Sequence, residues 1–188
     1  MNEKPILVGE RVVLRPITVA DAAGMFEGLA DEEGMRLTGT QDTFTFEQVE
    51  AFCARISKAD DRYDYAVTLK DDPDSKYIGE VVLNELDEEN RSASFRIAMQ
   101  SKAVYGKGYG TESTKLILKF GFETLKLHRI ELEVYDFNPR AQHVYEKVGF
   151  VKEGVRRDVL MWQGKYQSAI LMSILEDEWR KIAAGHSE

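Results

Sequence analysis

The chain has 188 residues, 43% hydrophobic and 31% charged, a composition that fits one ordinary globular domain long enough for a sizeable core. Its 33 Asp and Glu against 25 Lys and Arg leave a net charge of −8, which argues against a general nucleic-acid binder, because such binding works by neutralising phosphates with Lys and Arg. An acidic field instead suits a cationic acceptor such as an amine. The single cysteine, Cys53, excludes an internal disulfide framework and fits a reducing compartment, and its setting in Ala51-Phe52-Cys53-Ala54 reads as a helix core face. Met1-Asn2-Glu3-Lys4-Pro5 has no signal-peptide character, no apolar run is long enough to span a bilayer, and the expected location is cytoplasmic.

In chain order, Arg11–Pro16 predicts a first strand ended by proline. Thr18 and Asp21 form a capping-box-like pair that opens a helix through Met25, Phe26 and Leu29. Asp31–Thr43 reads as loop, with Gly34 and Gly39 as breakers. Thr45 and Gln48 cap a second helix carrying Val49, Phe52, Cys53 and Ile56. Tyr63–Leu69, Tyr77–Leu86 and Ser92–Met99 predict the second to fourth strands, joined by Asp71–Ser75 and by the charged turn Asp87-Glu88-Glu89-Asn90. After a glycine-rich turn, Leu116, Ile117, Phe120, Gly121 and Leu125 share one helix face. His128–Tyr135 alternates strictly as a fifth strand. Asn138-Pro139 opens a short helix with Ala141, Val144, Tyr145 and Val148, and Gly149 closes it. Phe150–Asp158 and Ser168–Leu175 complete seven strands around the turn Trp162–Lys165, and Glu176–Ala184 forms a terminal helix or tail. No repeat or linker divides the chain, so one domain over residues 1–188 is expected.

The turn Tyr105-Gly106-Lys107-Gly108-Tyr109-Gly110-Thr111 carries the first chemical signal. A strand, a glycine turn and a helix N-terminus form an anion cradle, because glycine admits close backbone approach and the first helical amides lack internal partners. The lysine lies between the glycines, so this is no P-loop, and Thr111 occupies the third glycine position of the dinucleotide fingerprint. A plain structural turn remains the alternative. Downstream stands Leu132-x-Val134-x-x-x-Asn138-x-x-Ala141-x-x-x-Tyr145-x-Lys147-x-Gly149-Phe150. With this string the chain resembles the GNAT superfamily of acetyl-CoA-dependent N-acetyltransferases. Leu7–Pro16 with Asp21, and Leu175-x-x-Glu178-Trp179, resemble its RimJ/RimL-type branch.

The resemblance implies an α+β fold, a mostly antiparallel seven-stranded sheet splayed between the fourth and fifth strands, with helices on both faces. It implies acetyl-CoA as cosubstrate and no metal. Backbone at Ile97, Ala98 and Met99 would receive the pantetheine arm, Gly106, Lys107, Gly108, Tyr109, Gly110 and Thr111 the pyrophosphate, and Asn138 would lie beside the arm. Asparagine is also a good N-cap, and Lys107 reads equally as a solvated lysine. Tyr145 matches the general acid: a phenol with a pKa of about 10 is protonated at neutral pH and can donate to a departing thiolate whose acid has a pKa of roughly 8.5. The general base is open. Ser94 stands where many relatives carry a carboxylate, and serine is a poor base, which leaves deprotonation through water or through another carboxylate, with Glu80, Glu85, Asp87 and Glu133 as candidates. Tyr105 replaces a more usual Gln or Arg, and Ser168 a more usual Asp. His128 and His143 have neither metal-ligand spacing nor a carboxylate nearby in sequence. The expected reaction is direct acetyl transfer to a small-molecule amine or a protein N-terminus, with no membrane or nucleic-acid partner and with homodimer formation open. A different acyl-CoA donor, or a regulatory module that binds acetyl-CoA without turnover, are the alternatives.

Overall fold

The computed structural model describes residues 4–185, so Met1–Glu3, part of the stretch read for a signal peptide, lie outside it. One eight-stranded sheet runs in the order β1-β2-β3-β4-β5-β6-β8-β7. Its strands are β1 (Leu7–Val8), β2 (Val12–Pro16), β3 (Tyr63–Leu69), β4 (Gly79–Asp87), β5 (Ser92–Met99), β6 (Arg129–Tyr135), β7 (Val151–Trp162) and β8 (Lys165–Leu175). Every neighbouring pair is antiparallel except β5 with β6.

Helices cover both faces. Under α4 (Tyr109–Lys119), α5 (Pro139–Val148) and α6 (Glu176–Gly185) lies the larger core, with Leu14, Tyr65, Val67, Leu83, Ile117 and Ile130 fully buried. On the other face, Ala66 packs with Ile17, Val49, Cys53 and Ile56 beneath α1 (Ala22–Gly28) and α3 (Phe46–Ile56). The alternation of β3 explains this: Tyr65 and Val67 face one layer and Ala66, between them, the other. The Thr45–Gln48 capping box at the start of α3 is formed, with bonds of 3.3 and 2.8 Å. Asp21 accepts from the Thr18 amide at 2.8 Å and pairs with the Arg15 guanidinium at 2.6 Å. Among the described residues no helix is long and apolar enough to cross a membrane.

Three expectations need correction. The stretch Asp31–Thr43 is not all loop, because α2 occupies Glu32–Thr38. Gly34 lies inside that helix, where a Cβ would meet the Tyr105 hydroxyl at 3.1 Å, and Gly39 is its left-handed C-cap at φ 67°. Seven residues are too few to show a helical period, so the two glycines dominate the sequence reading. The sheet has eight strands rather than seven, since β1, only two residues long, pairs with Val13 and Leu14. Finally, β7 and β8 run on to a two-residue turn at Gln163-Gly164, both at positive φ. Register shifts at Lys152/Gly154 and Arg156/Leu160 break the alternation that would have revealed the full hairpin.

Candidate active site

The parallel pair β5–β6 holds for only three residues, Ser92↔Arg129 to Ser94↔Glu131. Beyond it β5 follows β4 as far as Met99, and β6 follows β8 as far as Tyr135. The strands therefore diverge, and from Phe95 and Leu132 onward their facing backbone groups have no partner across the gap. A cleft of about 600 Å³ opens in this split, with Ile97, Ala98, Met99, Val134 and Tyr135 on its walls.

The glycine turn closes one end. Gly106 (φ 73°) and Gly108 (φ 83°) adopt left-handed backbone, and Gly108 is the N-cap of α4, with no side-chain acceptor for the first helical amides. Gly106, Gly108, Tyr109, Gly110 and Thr111 line the cleft, whereas Lys107 does not. The Lys107 carbonyl instead accepts from Arg11 Nη1 at 2.9 Å. Arg11 is further tied to Glu112, whose carboxylate also takes the Arg11 and Val12 amides. Strand β2 is thus stapled to the first turn of α4. A Cβ at Gly108 would lie 2.9 Å from Arg11 Nη2, the end of a flexible side chain, and the φ of 83° is one that side chains rarely adopt.

Two cations near this turn escaped the sequence reading. Arg140 lines the cleft, sits 5.7 Å over the Tyr105 ring, and would approach a Cβ at Gly106 to 3.4 Å. Its place directly after Asn138-Pro139, on the first turn of α5, was the available signal for it. Arg11 had none, because nothing in sequence joins residue 11 to residue 108. The Tyr105 hydroxyl donates to Asp31 at 2.9 Å, which fixes α2 against the turn.

Helix α5 supplies the opposite wall. Asn138 lines the cleft while its Oδ1 accepts from the Ala141 amide at 3.1 Å, so it caps the helix. Tyr145 stands at the root of the split. Its ring packs edge-on against Phe95, the first β5 residue past the last β6 pair, at 6.0 Å, and against Phe150 at 5.9 Å. Burial pushes its hydroxyl above the ordinary phenol value, and that hydroxyl bonds to no described residue. A neutral donor facing a cleft is what this arrangement provides.

The candidate carboxylates separate sharply. Glu80 lines the cleft and is only 9% exposed; Oε1 accepts from Arg96 at 3.3 Å and Oε2 has no partner. Burial raises its pKa, against the opposing pull of Arg96. Glu133 also lines the cleft but is exposed and ion-paired with Arg156. Glu85 is not on the cleft wall: a register shift after Asn84 turns it aside, where it accepts from the Ser94 hydroxyl at 2.6 Å. Asp87 caps its own turn through Asn90. Ser168 bonds to the Asp158 amide and, through its own amide, to Asp136. His128 has a carboxylate partner that sequence proximity hides, Glu176 at 3.3 Å, away from the cleft. Cys53 is buried off the cleft wall, its thiol pushed up to about 11 by desolvation and therefore a poor nucleophile.

With this geometry in view, similarity to known proteins identifies the family. The model described as "Acetyltransferase (GNAT) domain" matches residues 11–151. Probable N-acetyltransferase YjcK of Bacillus subtilis (strain 168) is 31% identical, over 92% of this chain and 98% of that protein. Spermidine N(1)-acetyltransferase of Vibrio cholerae is 36% identical over 109 residues, 58% of this chain and 62% of its own length. The crystal structure of the Vibrio cholerae spermidine N-acetyltransferase in complex with CoA and spermine superposes with a TM-score of 0.81 at 27% identity, covering 90% of this chain and 98% of that one. The chain belongs to the GNAT family of acetyltransferases, and it is an N-acetyltransferase of that family.

Proposed function

We propose that the protein transfers the acetyl group of acetyl-CoA to a primary amine by direct attack in a ternary complex. The observation that carries this reading is the convergence, in one cleft, of an unpaired β5 edge, an uncapped helix N-terminus behind two left-handed glycines, and the free Tyr145 hydroxyl. An amide-bearing arm can add to the β5 edge as a strand would, and its pyrophosphate can meet the amides of α4 beside Arg140. The relative solved with CoA supports the cosubstrate.

Acetyl-CoA, when bound, supplies an acetyl thioester. An amine that arrives as its ammonium ion first gives one proton to solvent; Glu80 then accepts the second from the neutral amine as the nitrogen–carbon bond forms, and its raised pKa makes it a better base than an ordinary carboxylate. A free β5 amide is available to the carbonyl oxygen. Tyr145 delivers the phenolic proton to the sulfur as the carbon–sulfur bond breaks. Glu85, turned away onto Ser94, and Glu133, held by Arg156, have no place in this scheme. We place the chain as a single domain in the RimJ/RimL-type branch, in the cytoplasm.

Thiol release from acetyl-CoA, followed with a panel of primary amines, tests the reading. Tyr145→Phe is expected to lower kcat by about 10²-fold with little change in acetyl-CoA affinity. Full activity in that variant would remove the general-acid role. Acetyl-CoA binding by the wild type without turnover of any amine would favour a regulatory module.

A further inference from the structure

The acceptor side of the cleft is walled by α1 and α2 and by the Thr40 that follows them. These segments give it Met25, Leu29, Met35 and Leu37, with Thr38 and Thr40, and no charged side chain. The lack is not one of composition, because the same segments carry Glu27, Asp31, Glu32, Glu33 and Arg36. All five are absent from the cleft wall. Asp31 is taken by Tyr105, Glu33 by Lys102 at 3.0 Å, and Arg36 lies 5.0 Å over the Phe137 ring. Glu27 stands 3.4 Å from the Gln100 amide nitrogen.

On the floor of the same side is Glu80. It is paired across the sheet with Ala66, whose side chain belongs to the core under α1 and α3, so Glu80 faces those helices rather than α4. One of its carboxylate oxygens is buried without any hydrogen-bond partner. A buried carboxylate oxygen left in that state is costly, and an ammonium group would relieve it. The α1–α2 wall above offers such a ligand apolar surface and no second counter-ion, and the other carboxylate on the cleft, Glu133, is already ion-paired with Arg156.

We infer that the acceptor is a monoamine with an apolar body, an alkyl or arylalkyl amine whose single ammonium group is received by Glu80. This rests on the acetyl-transfer reading and narrows it away from polyamines, the acceptors for which some of the relatives are named. A polyamine would strand its second ammonium against Met and Leu side chains, where losing its water is uncompensated.

The test is acetyl transfer with n-butylamine, n-hexylamine, 1,6-diaminohexane and spermidine at saturating acetyl-CoA, with acetyl-CoA affinity measured separately by calorimetry. Each added methylene should raise kcat/KM roughly three- to fourfold, so hexylamine should exceed butylamine by about tenfold. Hexylamine should also exceed 1,6-diaminohexane and spermidine by at least about tenfold. Glu80→Gln should lower kcat/KM for hexylamine by about 30-fold and leave acetyl-CoA affinity unchanged. Met35→Glu, which puts a carboxylate on the wall without touching the sheet, should raise the ratio of diamine to monoamine turnover. Equal or better use of spermidine, no turnover of hexylamine, or an indifferent Glu80→Gln would each overturn the inference. A wild-type protein that binds no acetyl-CoA would instead overturn the acetyl-transfer reading on which it rests.

Discussion

The two halves of the cleft are made by different means. The glycine-turn half is largely backbone: the free edge of β5, the left-handed Gly106 and Gly108, and the first amides of α4. The half under α1 and α2 is made of side chains brought from separate parts of the chain, Met25 and Leu29 from one helix, Met35 and Leu37 from another, Glu80 from β4. A backbone site requires glycines at fixed spacing and a helix that starts on time, which a short sequence string can specify. A side-chain site requires only that the right residues meet.

The largest expected effect is on the backbone half. Gly108→Val should reduce acetyl-CoA affinity by more than about 10²-fold, because a branched side chain at φ 83° is strained and its Cβ would press on Arg11 Nη2. Circular dichroism should show a retained fold, and unchanged affinity by calorimetry would refute the cradle.

The acceptor half should respond to pH instead. Burial raises the Glu80 pKa, opposed by Arg96 and Arg62 and reinforced by Asp64. In the proposed role, Glu80 receives the amine as an ionised carboxylate, so kcat/KM should fall as pH drops through that raised value, and Glu80→Gln should abolish this limb. The same shift sets the sign for stability. A carboxyl whose folded pKa lies above its unfolded value contributes stability at acid pH that is lost as pH rises through the folded pKa. Glu80→Gln should therefore raise Tm at pH 8 while it lowers activity. A lower Tm would mean that Glu80 stabilises the fold through Arg96 rather than straining it.

The smallest effect sharpens the comparison where the halves meet α5. Asn138→Ala removes the acceptor of the Ala141 amide and should cost about 1 kcal/mol in denaturant unfolding. A larger loss of acetyl-CoA affinity than of stability would show that Asn138 serves the ligand as well as the helix.

Legibility in the sequence followed the same division. The caps at Thr45–Gln48 and at Asn138 and Gly149 were readable because each cap is a local exchange between residues a few positions apart. Strands β3 and β5 were readable to the residue, since alternation and flanking turns bound them closely. Helix α2 was hidden by its two glycines, and the full β7–β8 hairpin by its register shifts. The Arg11–Glu112 staple spans 101 positions and has no local signature.

By itself, then, the sequence determined the order of the elements, the glycine cradle and the helix that carries Tyr145, because each depends on φ/ψ preferences and hydrogen bonds closed within a few residues. Only the tertiary structure told the candidate carboxylates apart. Glu80, Glu85 and Glu133 are alike as sequence, three glutamates on strands. The register of β4, the bulge after Asn84 and the reach of Arg156 set one in a buried cleft with a free oxygen, turned one onto a serine, and neutralised the third. Burial and charge pairing are properties of what surrounds a residue, and those surroundings come from every part of the chain.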